Sequence, residues 1–128
     1  MVSITRAQRI ATRIREELSE MLILEISDPR LNGVSITDVR VDRELAYADI
    51  YFSAIQGSEI SQSILEGFEH AQGFIRRELM HRVDLRSFPR LRFHWDPTFD
   101  RAERIDRLIA ELNEQANTSD NQEETDEG

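Results

Sequence analysis

Apolar positions along the chain recur at helical spacing in some stretches and alternate in others. Ala7, Ile10, Ala11, Ile14, Leu18, Met21 and Leu22 form one stripe with the period of an amphipathic helix. Thr5 and Gln8 stand ahead of it in capping-box positions, where a hydroxyl and an amide satisfy free backbone amides. The stripe predicts a first helix of roughly twenty residues. It ends before Ser27-Asp28-Pro29, because proline disfavours a helical residue in front of it.

Asn32-Gly33 supplies a turn. Val34 to Val41 is rich in β-branched residues, but its alternation slips: Val34 and Ile36 share one parity, Val39 and Val41 the other. A bulge near Thr37–Asp38 reconciles them. The next strand alternates cleanly, with Ala46, Ala48, Ile50, Phe52 and Ala54 on one face and Tyr47, Asp49, Tyr51 and Ser53 on the other. One polar face suits an antiparallel pair with helices on its other side.

Helical spacing returns from Gly57-Ser58 to about Arg82, through Ile64, Leu65, Phe68, Ala71, Phe74, Ile75 and Leu79. Gly67 and Gly73 interrupt it, and a glycine weakens a helix interior by about 1 kcal/mol relative to alanine. A helix–kink–helix at Ala71-Gln72-Gly73 is expected. "PRLRFHWDP" then reads as a third strand, with Leu91, Phe93 and Trp95 inward and Arg90, Arg92 and His94 outward. Asp100 and Glu103 are positioned to cap a last helix with Ala102, Ile105, Leu108, Ile109 and Leu112 on one face. From Glu114 onward apolar residues nearly vanish. The expected organisation is one domain over residues 1–113 and an acidic, disordered tail over 114–128. Three strands with helices on one face make a two-layer α+β domain.

Composition narrows the chemistry. A chain of 128 residues leaves little room for a deep catalytic cavity beside its core. The absence of cysteine excludes disulfides, thiolate zinc sites and thiol catalysis. The longest aliphatic run is Met21–Leu24, far too short for a bilayer span. Four arginines without an acid in residues 1 to 15 loosely suit a mitochondrial presequence. Continuation of the same stripe into acidic sequence fits one mature helix better.

The net charge of −9 is unevenly spread. Seven acids and no base lie in residues 111 to 128, leaving 18 acidic against 16 basic residues in the rest. All the basic residues are arginine; there is no lysine. Arg6, Arg9 and Arg13 share one side of the first helix, and Arg76, Arg77, Arg82, Arg86, Arg90 and Arg92 crowd the stretch from 76 to 92. An acidic total therefore does not exclude a basic face.

Two readings fit "HAQGFIRREL". In one, Gly73 relieves crowding and the arginines sit on a solvated face. In the other, Ala71 and Gly73 allow a close change of direction, and a second helix starting at Gly73 turns its free amides, with Arg76 and Arg77, toward a phosphate backbone. The Arg6, Arg9 and Arg13 row, Arg82, and the group Arg86, Arg90 and Arg92 carry the same pair of readings. Tyr47 and Tyr51 on the outer sheet face either stack bases or pack across strands. The Asp28-Pro29-Arg30 turn reads as architectural.

The element order resembles a type II KH domain, a fold that clamps a nucleic-acid backbone at a Gly-x-x-Gly loop between two helices. Here Ala71-Gln72-Gly73 stands in that place. With "RIATRIREELSEML", "ISDPRL", "VSITDVRVDRELAYADIYFS", "AQGFIRREL", "PRLRFHWD" and "RIDRLI" in order, the chain resembles the bacterial ribosome-binding factor A family over roughly residues 5 to 112. The lysines common on that family's basic surfaces are absent, so arginine has to serve throughout, and the acidic tail matches no family motif.

The resemblance implies a non-enzymatic, cytoplasmic assembly factor, expected to be monomeric. It implies binding to the free small ribosomal subunit and its rRNA, late maturation with 5′-end processing, importance in the cold, and release by other assembly factors. It favours RNA contact for Arg6, Arg9, Arg13, Ala71, Gly73, Arg76, Arg77, Arg82, Arg86, Arg90 and Arg92. No cofactor, metal or membrane is expected. His70, His81 and His94 form no His-Glu-x-x-His motif, and Glu78 with His81 is a lone Glu-x-x-His pair. The alternatives are a KH-like module for another RNA, or a protein-interaction domain whose binding varies little with salt.

Overall fold

The computed structural model describes the backbone of residues 1–126, and side-chain burial through residue 117 except at position 99. The elements are α1 (Ile4–Leu24), β1 (Val34–Val41), β2 (Tyr47–Ala54), α2 (Ser61–Arg82), β3 (Arg90–Trp95) and α3 (Thr98–Asp126), with 3-10 turns at Pro29–Leu31 and Ser58–Ile60. Two compact units result, one over residues 1–96 and one beginning at Pro97.

In the first unit the strands lie in the order β1-β2-β3, β1 antiparallel and β3 parallel to β2. The slip of parity in β1 is a bulge between Ile36 and Asp38. It turns both Ile36 and Val39 into the core. At the bulge the Thr37 hydroxyl donates to the Asp96 carboxylate at 2.6 Å.

Ile14, Leu18 and Met21 of α1, Ile50 and Phe52 of β2, and Ile64, Phe68, Ile75 and Leu79 of α2 are fully buried together. Phe68 stacks on Phe93 at 4.3 Å and tilts against Phe52 at 5.2 Å, seating α2 over β2 and β3. Burying one such ring stabilises the fold by about 1.5–3 kcal/mol.

Three local expectations change. The α1 cap is Ser3, whose hydroxyl accepts the Arg6 amide at 3.0 Å, so the Thr5–Gln8 box is not the one used. The last helix starts at Thr98, with Asp100 inside its first turn. The helix–kink–helix segment lies within one element, α2, which stays helical through Ala71, Gln72 and Gly73, so no second helix starts at Gly73. The glycine penalty there is small beside the burial of Phe68, Ile75 and Leu79 on the same helix.

Close approach occurs elsewhere, at Gly67. A Cβ there would lie 2.9 Å from Cδ2 of Leu31 and 3.2 Å from Cβ of Arg30, whereas a Cβ on Gly73 would meet nothing within 4 Å. In the second unit, α3 carries Ile105, Leu108, Ile109 and Leu112 at the expected spacing, each more than half exposed.

Candidate nucleic-acid interface

Three attachments gather arginines at one end of the sheet. The Arg90 amide donates to the Ala46 carbonyl at 2.8 Å, placing the start of β3 beside the β1–β2 turn. The Val2 amide donates to the Arg43 carbonyl at 2.7 Å, and Arg43 Nε returns a bond to the Val2 carbonyl at 3.0 Å. The N-terminus of α1, with Arg6 and Arg9 in its first turns, is thereby tied to the same turn. Arg76 donates to the carbonyls of Pro89 at 3.2 Å and Phe88 at 3.4 Å, and its guanidinium carbon lies 5.9 Å from the Phe88 ring centre. It braces α2 against the residues leading into Arg90.

Arg6, Arg9, Arg77, Arg86 and Arg90 are exposed, and among the described residues none of them pairs with a carboxylate. Arg77 makes one weak bond, Nε to the Gly73 carbonyl at 3.3 Å. The first turn of α1 contains no acid, so the positive end of that helix dipole adds to the field. The expected N-terminus at Gly73 is absent because α2 runs on; the helix start that lies among arginines belongs to α1. Two acids share the turn. Asp42 is exposed, and its carboxylate accepts the Tyr47 amide at 2.7 Å, a bond that holds its pKa below the ordinary value. Glu44 is exposed.

Other arginines named from the sequence are committed within the fold. Arg13 pairs with Glu17 at 2.8 Å. Arg82 contacts Glu17 at 3.3 Å, Glu25 at 2.6 Å and Glu78 at 3.4 Å. Its pKa is raised, chiefly by the bond to Glu25. Arg92 forms two bonds to Asp49, at 2.7 and 2.9 Å, and these hold the Asp49 carboxyl below its usual range. Ala71 lies apart from this group, lining an open groove of about 740 Å³ with residues 25–30, His70 and Phe74. Gly73 is exposed. Arg43 escaped the sequence reading; its place in a turn between strands carries no periodic signal, and only the contact with Val2 marks it.

The Asp28-Pro29-Arg30 turn is architectural as expected. Asp28 accepts the Arg30 amide at 2.9 Å and its guanidinium at 3.1 and 2.7 Å. The side-chain bond from Arg30 is the main cause of an Asp28 pKa lowered to about 2.

A profile of the family described as ribosome-binding factor A matches residues 6–109. Ribosome-binding factor A of Aromatoleum aromaticum is 39% identical over 108 residues, covering 84% of this chain and 85% of that one. The crystal structure of ribosome-binding factor A from Thermus thermophilus superposes with a TM-score of 0.62 at 24% identity, over 70% of this chain and 93% of that one. It shares the KH-like fold. A Thermus thermophilus ribosome binding factor A homology model, fitted into a cryo-electron-microscopy map of a 30S complex, matches with a TM-score of 0.50 at 26% identity, over 66% of this chain and 93% of that one.

Proposed function

Because the chain belongs to the ribosome-binding factor A family, we propose that it binds the free small ribosomal subunit through rRNA. The carrying observation is a set of exposed arginines without acid partners: Arg6, Arg9, Arg43 and Arg90 where the α1 N-terminus, the β1–β2 turn and the start of β3 meet, with Arg77 on α2 and Arg86 in the loop before β3. Guanidinium groups in that state are available to phosphates at little cost in broken ion pairs. Arg6, Arg9, Arg43, Arg77, Arg86 and Arg90 form the proposed contact. Arg76 supports it from beneath, and Arg13, Arg82 and Arg92 serve the fold first. Ala71 and Gly73 lie outside the contact.

The protein acts in the cytoplasm as a binding factor, without catalysis. Phosphate contacts favour one arrangement of the rRNA, and differential affinity shifts the population toward it. Late maturation, 5′-end processing of the small-subunit rRNA and a role in the cold follow from that shift, since escape from misfolded RNA is slowest at low temperature. Release belongs to other assembly factors or to the mature subunit. The 30S complex of the Thermus relative supports this choice of partner.

Sucrose-gradient fractionation of cells tests the reading. The protein is expected with free small subunits, and its depletion is expected to leave 5′-extended rRNA precursors, more so in the cold. Sedimentation with large subunits, or only at the top of the gradient, contradicts it.

A further inference from the structure

The outer face of the sheet carries an ordered array of flat side chains that the arginine cluster leaves unexplained. Its β2 side presents Tyr47, Asp49 and Tyr51, and β3 places Arg90, Arg92 and His94 opposite them in register. Asp49 sits at the centre. It holds Arg92 through two hydrogen bonds, and its Oδ1 lies 2.8 Å from His94 Nε2. Each of these two groups lies against a tyrosine: the Arg92 guanidinium carbon is 4.0 Å from the Tyr47 ring centre, and the His94 ring is 5.1 Å from Tyr51 at a 30° tilt. Arg40 approaches Tyr51 from β1, at 5.2 Å. The array is open to solvent. Tyr47 is 38% exposed, and the Arg92 and His94 side chains are 49% and 42% exposed.

We propose that this face is a stacking platform for unpaired RNA nucleotides, one base lying against the Tyr47–Arg92 pair and another against the Tyr51–His94 pair. Bases stack on aromatic rings and guanidinium planes alike. Asp49 has already fixed the Arg92 plane, so little side-chain freedom remains to be lost on binding. Tyr47 and Tyr51 stand four residues apart on one strand, roughly 13 Å at the usual rise, which leaves room for an extended strand to cross. No aliphatic side chain of β2 or β3 shares the face, as an apolar protein contact would require. The platform is continuous with the proposed phosphate contact, because Arg90 pairs with Tyr47 in register. The inference rests on the rRNA reading above and adds base contact on a second surface.

The test titrates the full chain with a labelled ten-nucleotide oligouridylate, which cannot form a duplex. Tyr47→Ala/Tyr51→Ala is expected to weaken binding about tenfold or more, with its salt dependence unchanged. Tyr47→Phe/Tyr51→Phe is expected to bind like the parent. An alanine pair that binds within twofold of the parent, with circular dichroism intact, overturns the proposal. So does a parent that ignores the oligonucleotide yet sediments with small subunits, a result that leaves the proposed function standing. Should the alanine pair fail to fold, Tyr51→p-benzoylphenylalanine decides. Crosslinks from subunit-bound protein to rRNA support the platform, and crosslinks only to ribosomal protein, or none, refute it.

Discussion

Gly67 of α2 comes so close to Leu31 that an added Cβ would stand 2.9 Å from the leucine Cδ2. Leu31 is buried and has little room to yield. Overpacking of this kind costs about 1–3 kcal/mol, against about 1 kcal/mol of helix propensity regained. Gly67→Ala is expected to lower stability in urea unfolding by about 1 kcal/mol. Gly73→Ala, with nothing within 4 Å, is expected to raise it by about 0.5–1 kcal/mol and to leave subunit binding unchanged. A loss of binding on Gly73→Ala would return the site to the Ala71–Gly73 segment.

Arg82 is shared by Glu17, Glu25 and Glu78. Arg82→Ala leaves Glu25 and Glu78 without their cation and Glu17 with Arg13 alone, so the melting temperature should fall. Binding to small subunits, measured well below the melting temperature, should keep the parent's salt dependence. A shallower dependence would put Arg82 in the interface.

Arg76 and Arg77 are neighbours in sequence with different duties. Arg76→Glu removes the bonds to Pro89 and Phe88 and should lower the melting temperature. Arg77→Glu should leave melting unchanged and weaken subunit binding by about tenfold, since it replaces a phosphate contact by repulsion. The two are compared by thermal melting and co-sedimentation.

The Asp28 pKa is lowered, so its contribution to stability is fully present above the ordinary carboxyl value of 3.8 and is lost as pH falls toward about 2. Arg30→Gln should move the Asp28 carboxyl titration, followed by carbon NMR, back up toward the ordinary value. Asp28→Asn should flatten the loss of stability across that acid window. An Asp28 that titrates at the ordinary value in the parent would contradict the bonded turn.

Much of the fold was legible because burial leaves a periodic trace. The α1 stripe, the inward set of β2 and the parity slip at Thr37–Asp38 each follow from one face meeting the core. Within α2 the local penalty of Gly73 is outweighed by the burial of its neighbours, so no second helix starts there. Gly67 and Gly73 look alike in sequence; only the position of Leu31, 36 residues earlier, separates them. The arginines were visible as residues but not as free or paired charges. Glu25 for Arg82 and Asp49 for Arg92 come from distant chain segments, and no spacing rule links them.

The central claim is that Arg6, Arg9, Arg43, Arg77, Arg86 and Arg90 hold phosphates. It is tested most directly by the affinity of the full chain for purified small subunits across a series of salt concentrations. Arg9→Gln and Arg90→Gln are each expected to reduce the steepness of the log–log plot by about 0.7–0.9, with melting unchanged, while Arg13→Gln leaves it as in the parent. A parent affinity indifferent to salt, or a slope that none of these substitutions alters, would contradict the claim.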